Sequence, residues 1–134
     1  MRSSDIQVST NDRYEFVTIT DEVKQAVREA GIEDGFCIIA STHTTAAITI
    51  NEDYDRDVPR DLAAACETLV GSLDVTFHHA EGNSDSHLLT SLFGQSQHLL
   101  VQGGELDLGR WQGIFLADFD GPRSRTVRVS VGEA

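Results

Sequence analysis

Phe36-Cys37-Ile38-Ile39-Ala40-Ser41-Thr42-His43-Thr44-Thr45-Ala46-Ala47-Ile48-Thr49-Ile50 is the stretch from which the fold can be read. Its first five residues form a continuous apolar run after Gly35, which predicts a central strand buried on both faces. Its last five are apolar again, with Ile48 and Ile50 flanking Thr49 in the period of two that marks a strand. The five residues between them are polar. A polar interruption between two core strands places the side chains of His43, Thr44 and Thr45 at a strand end or bulge. Taken alone, the simpler account of these residues is that threonine suits strands and that His43 is a hydrogen-bonded histidine at the edge of a core.

Upstream, Asp5 to Thr10 and Tyr14 to Ile19 alternate apolar and polar residues around a turn at Asn11-Asp12, which predicts an opening hairpin. The period then changes. Ile19, Val23, Ala26, Val27 and Ala30 share one helical face, with Thr20 or Asp21 to cap its start and Gly31 to end it. Downstream, Asn51-Glu52 closes the second core strand, and Asp53 to Asp57 reads as a solvated acidic loop. Pro59 suits a first helical turn, and Leu62, Ala65, Cys66, Leu69, Val70 and Leu73 mark a second amphipathic helix. Val75 to Phe77 leads into a histidine segment, after which Leu88, Leu89, Leu92 and Phe93 form a short helix ended by Gly94. His98 to Gln102, Trp111 to Asp118 and Thr126 to Val131 are strands, with turns at Gly103-Gly104 and Asp120-Gly121-Pro122-Arg123. These late strands are joined too closely for helical crossovers, so antiparallel pairing should dominate. The expectation is one α+β domain over residues 1–134, with a mostly antiparallel, β-sandwich-like core of seven or eight strands, two longer helices and one short one.

Composition limits what such a domain can do. With 22 acidic against 10 basic residues, the formal net charge is -12, and Lys24 is the only lysine. A surface of that sign repels phosphate backbones and anionic lipid, which argues against nucleic-acid and membrane partners. It suits a salt-rich cytoplasm, where screening makes self-repulsion tolerable, so a halophilic source is expected. Cys37 and Cys66 lie in apolar surroundings without CxxC spacing and read as buried free thiols. No apolar run approaches the ~20 residues of a bilayer span, and a cytoplasmic location is expected.

The chemistry concentrates in His78-His79-Ala80-Glu81-Gly82-Asn83-Ser84-Asp85-Ser86-His87, which holds three of the five histidines. Almost nothing in it could fill a core. Neutral imidazoles from His43, His79 and His87 could hold a divalent metal, Zn or Mg/Mn, and leave positions open for water or substrate. Adjacent His78 and His79 cannot both face inward from an extended segment. Glu52, Glu81, Asp85 and Asp120 could orient ligands or act as a general base. Arg123 and Arg125 could grip a phosphate bidentately, or simply pair with local carboxylates.

These residues carry a resemblance. His43-Thr44-Thr45-Ala46-Ala47, Ile48-Thr49-Ile50-Asn51-Glu52, Glu81-Gly82 before Ser86-His87-Leu88, Gly94-Gln95-Ser96, Gly109-Arg110-Trp111-Gln112-Gly113-Ile114 and Asp120-Gly121-Pro122-Arg123-Ser124-Arg125 resemble, in order, the YjbQ-like family, also called secondary thiamine-phosphate synthases. The resemblance implies a compact α+β fold, a homotrimer, and a pocket near the histidines at the subunit boundary. It also implies a weak transferase activity that joins a pyrimidine diphosphate to a thiazole phosphate and releases pyrophosphate. The family pattern falls on His43, His79 and His87 as metal ligands. His79 is preferred to His78 because it follows Phe77 by two positions, as the family's histidine follows an aromatic residue. Glu52, Arg123 and Arg125 are the catalytic candidates. Thr44, Asn51, Ser96, Trp111, Gln112 and Asp120 are the candidates for binding a small phosphorylated substrate. Two departures stand out: a short segment between His79 and His87, and Arg110 where the family usually has threonine. Two other readings are a trimeric protein that binds a phosphometabolite or metal without turnover, and a metal-dependent hydrolase, for which three histidines and a carboxylate would also serve.

Overall fold

The computed structural model describes residues 1–134. In chain order the elements are β1 (Arg2–Ser9), β2 (Glu15–Thr18), α1 (Thr20–Ala30), β3 (Gly35–Ser41), β4 (Ala46–Glu52), α2 (Asp57–Gly71), α3 (Ser84–Phe93), β5 (Ser96–Gln102), β6 (Glu105–Leu106), β7 (Gln112–Asp118) and β8 (Ser124–Glu133). One sheet has the order β1-β8-β3-β5-β6, the other β2-β7-β4, and every paired neighbour is antiparallel. The architecture is α+β, as the alternation of apolar residues and the short late turns imply.

Two apolar layers hold it together. The first lies between the sheets, where Cys37, Ile39, Val101, Val127, Val129 and Val131 of the larger sheet meet Ala46, Ile48, Ile114 and Leu116 of the smaller. Helix α1 joins this layer through Val23, Val27 and Ala30, and Gly31 ends it in the left-handed conformation that glycine adopts without a steric penalty. The second layer lies on the other face of the smaller sheet. There Phe16, Ala47, Phe115, Ala117 and Phe119 pack against Cys66 of α2 and Leu89 of α3. The period of two thus sends alternate residues of β4 and β7 into different layers, which is why both strands read as nearly continuous apolar runs. Both cysteines are free and buried, and burial pushes the Cys37 thiol up to about 11.

Three local expectations are corrected. Strands β1 and β2 do not form a hairpin: β1 pairs with β8 and β2 with β7, so the turn at Asn11-Asp12 carries the chain from one sheet to the other. Strand β3 is central but not buried on both faces, because no element covers the outer side of its sheet and Ile38 is exposed there. The inward face of α2 is Leu62, Ala63, Cys66 and Val70, while Leu69 and Leu73 are exposed. Val75 to Phe77 leads into the histidine segment as expected, and residues 72–82 are exposed throughout.

Candidate functional site

The polar residues singled out from the sequence lie at two opposite ends of the β4–β7 pair. In the register of that pair, Ala46 faces Asp118 at one end and Glu52 faces Gln112 at the other. Six residues of rise separate the two ends, about 20 Å at ~3.3 Å per residue.

At the first end the β7–β8 turn, the start of β4 and the start of α3 meet. Helix α3 is fixed there because the Ser86 hydroxyl donates to the Phe119 carbonyl at 2.6 Å and the Asn83 amide donates to Asp120 Oδ2 at 2.9 Å. Asp85 in its first turn accepts from Arg13 at 2.9 and 3.0 Å and from the Tyr14 hydroxyl. Burial, then the bond to Asp85, raises the Tyr14 phenol above its ordinary range. This tethering presents His87 beside a cleft of about 490 Å³ lined by Thr44, His87, Thr90, Ser91, Gly94 and Gln95, none of them apolar. The Thr90 hydroxyl is buried with no partner. His79 lies against His87, with ring centroids 5.5 Å apart. Ser96 follows at the start of β5, exposed. A larger cavity, about 660 Å³, lies between α2 and residues 72–82, but three of its polar groups, Arg13, Tyr14 and Asp85, already satisfy one another. The smaller polar cleft is therefore the better candidate.

His43 does not fit as a metal ligand in this arrangement. Its Nε2 accepts the Thr126 backbone N–H at 2.8 Å, so the lone pair on that nitrogen is engaged and the proton of the neutral ring sits on Nδ1. Burial, then the Arg125 and Arg123 charges, hold its pKa below the usual histidine value, with Asp118 acting the other way. No group of three His, Cys, Asp or Glu side chains within the chain is placed to hold a metal. His79 and His87 alone give two donors, short of the three or four that a zinc site uses.

Arg125 is also unavailable for a ligand. It is 1% exposed and reaches from β8 to Asp118 on β7, 0% exposed, with Nε at 3.2 Å from Oδ2 and an amino nitrogen at 2.7 Å from Oδ1. The same amino group donates to Thr45 Oγ1, while Asp118 also accepts from the Thr10 hydroxyl and the Asp120 N–H. Local pairing, the alternative open in the sequence, describes Arg125: it pins one sheet to the other. Asp118 was the residue missed, and its only signal was a carboxylate closing an apolar strand seven residues before an arginine. Arg123, by contrast, is half exposed and touches Asp120 at 3.3 Å, at the mouth of this end.

At the second end, Asn51, Glu52, Trp111 and Gln112 are together. Asp53 accepts from Thr18 and Thr20 at 2.9 and 2.6 Å and lies so close over Gly113 that a Cβ there would stand 2.1 Å from Asp53 Cβ. Glu52 accepts the Asp55 N–H at 3.3 Å. Gln112 accepts the Gly109 N–H at 2.8 Å, which shapes the turn that carries Trp111 outward.

Two antiparallel sheets backed by three helices, with a polar histidine-bearing cleft at the edge of the smaller sheet, define a class of small α+β proteins rather than one activity. The chain belongs to the UPF0047 YjbQ-like family, whose profile matches residues 4–134. It is 41% identical to UPF0047 protein YugU of Bacillus subtilis over 126 residues, covering 94% of this chain and 96% of that one. It is 44% identical to a UPF0047 protein of Methanocaldococcus jannaschii over 125 residues, covering 93% and 90%. A YjbQ/UPF0047 family protein from Clostridium acetobutylicum superposes with a TM-score of 0.91 at 41% identity, covering 96% and 99% of the two chains. A protein of unknown function from Sulfolobus solfataricus gives 0.92 at 35% identity, covering 99% and 97%. No helix is long and apolar enough to cross a membrane.

Proposed function

We propose that the chain is a thiamine-phosphate synthase-like transferase that joins a pyrimidine diphosphate to a thiazole phosphate, acting as a homotrimer whose pockets lie between subunits. Family membership supports the reaction class. The observation that carries the assembly is the division of polar residues between two ends of one strand pair, about 20 Å apart. One small ligand cannot touch both ends of a single chain. A neighbouring copy that set its Trp111 end against the His87 end would complete one site from two halves.

In that site the bond between the pyrimidine's exocyclic carbon and the pyrophosphate oxygen breaks, the electron pair leaving with pyrophosphate. Arg123, the one of the two predicted arginines that faces solvent, would stabilise the charge on that leaving group. The thiazole nitrogen donates its lone pair to the carbon, forming the new C–N bond and becoming cationic. Trp111, Asn51 and Gln112 hold the partners in place, which is most of what such a reaction asks of a protein. Glu52 lies beside them and orients the nascent cation. His43, with its proton on Nδ1, serves as a neutral hydrogen-bond donor. A divalent metal on His79 and His87 remains a proposal that needs further donors from the neighbouring copy, and no step above depends on it.

Purified protein should form thiamine phosphate from the two precursors, and Arg123→Gln and Trp111→Ala should each lower kcat/KM by about 10–100-fold, that is by ~1.4–2.7 kcal/mol. Absence of product with and without added divalent cations sinks the activity. A monomeric mass by sedimentation sinks the shared pocket.

A further inference from the structure

Next to the Trp111 end lies a groove of about 450 Å³, within the ordinary range for a small-molecule site, whose lining includes Tyr54, Arg56, Arg60 and Phe115. Tyr54 is 77% exposed and Trp111 49% exposed, yet the two rings are ordered against each other, centroids 5.0 Å apart and nearly perpendicular. The Arg110 guanidinium lies over the indole at 5.0 Å. In a chain with 22 carboxylate side chains, neither Arg110 nor Arg56 takes part in an ion pair. Glu52, Asp53 and Asp55 also line this groove, and each accepts from a donor of its own: Asp53 from the Thr18 and Thr20 hydroxyls, Glu52 from the Asp55 N–H, Asp55 from the Asp57 N–H. The result is an exposed aromatic corner flanked by two unpaired cations.

We infer that Tyr54, Arg56 and Arg110 form, with Trp111, the seat of a planar heteroaromatic ring bearing a phosphate ester. Flat rings stack on such a corner because the aromatic faces there are already partly stripped of water. A guanidinium without a carboxylate partner is suited to a phosphate oxygen pair. The two features fit one ligand and together distinguish it from a free ring or a free phosphate. This assignment rests on the transferase reading for the identity of the ring, and it adds Tyr54, Arg56 and Arg110 as residues that select it. Arg110, over the indole and without a carboxylate partner, is then a specificity determinant of this chain.

Trp111 is the only tryptophan, so its fluorescence reports on this corner alone. Titration of the full chain with hydroxymethylpyrimidine phosphate should quench that fluorescence to saturation. Inorganic phosphate and the unphosphorylated pyrimidine alcohol should each bind at least tenfold more weakly. Tyr54→Ala, Arg56→Gln and Arg110→Thr should each raise Kd roughly tenfold without changing the melting temperature, because all three side chains are exposed. Equal Kd values for wild type and the three variants overturn the proposal. So does a change in sedimentation mass with unchanged Kd, which would make the three side chains contacts between copies with no part in holding the ligand. Binding without turnover would remove the transferase reading and leave the seat standing. Turnover with unchanged KM in all three variants would do the reverse.

Discussion

The two ends of the β4–β7 pair are built from the same residue classes, arginine, carboxylate and threonine, and they differ in whether water reaches them. At the Asp118 end the arginine is enclosed, and every charged oxygen has a donor: Arg125 takes both carboxylate oxygens, and Thr10 and the Asp120 N–H take what remains. At the Trp111 end Arg56 and Arg110 have no carboxylate partner and the aromatic rings face outward. Burial is what turns the first set into a fastener, since an unpaired charge there would be costly. Exposure is what leaves the second set free to meet a ligand. Similar composition therefore gives a closed ion pair at one end and an open, unpaired set at the other, which is where the proposed ligand would be recognised.

The comparison can be broken most forcefully at the buried pair. Arg125→Met leaves the Asp118 carboxylate buried without its counter-charge and should destabilise by about 3–5 kcal/mol in urea unfolding. Adding Asp118→Leu should recover much of that loss, and a single variant costing under about 1 kcal/mol would show that the pair is not a fastener. Next in size, Gly113→Ala should cost about 1–3 kcal/mol, because the new Cβ meets Asp53 Cβ. Asp53→Ala retains that atom and should not rescue it, whereas Asp53→Gly should.

A smaller effect concerns His43, which bridges β8 and the start of β4. Its folded pKa lies below the unfolded value, so the unfolded chain binds the proton more readily. His43 therefore costs nothing above the ordinary histidine range, and it destabilises progressively as pH falls from there through the lowered folded value. Urea midpoints measured from about pH 7.5 to about pH 5 should drop less steeply in His43→Gln than in the parent chain. An identical slope would mean that the imidazole is not buried as described. The mildest perturbation is salt. At a net charge of -12, added KCl should raise the melting temperature by screening repulsion across the surface, and no rise would remove the halophilic expectation.

Much of this was legible in the chain itself. The run Phe36–Ala40 and the alternation at Ile48 and Ile50 are strand signals that depend only on local pattern, and β3 and β4 are where they say. Helix α1 could be placed to within a residue because Gly31 marks its end. What pattern could not supply is which strand pairs with which. Asn11-Asp12 is a sound turn signal, but a turn that crosses between sheets looks the same in sequence as one that closes a hairpin. The fate of the two arginines was equally hidden. Arg123 and Arg125 are two residues apart, so in an extended strand their side chains would point to the same face and read as one pair. One is enclosed and the other half exposed because β8 begins at Ser124, which leaves Arg123 in the turn before it, and the sequence does not mark that boundary. The three histidines read as one ligand set because separation in sequence says nothing of Thr126, whose backbone N–H occupies His43.

Residues 72–82, exposed from end to end, connect two helices without lending a side chain to either apolar layer. His79 is carried by this connector and His87 by a helix fastened to β7, so the pair joins a part of the chain that folding stability constrains with one that it does not. The length and composition of the connector can therefore drift over evolution at little cost to the fold, and each change re-aims one imidazole against a fixed partner. The connector here is one setting of that adjustment, and this end of the molecule can diversify while the scaffold stays as it is.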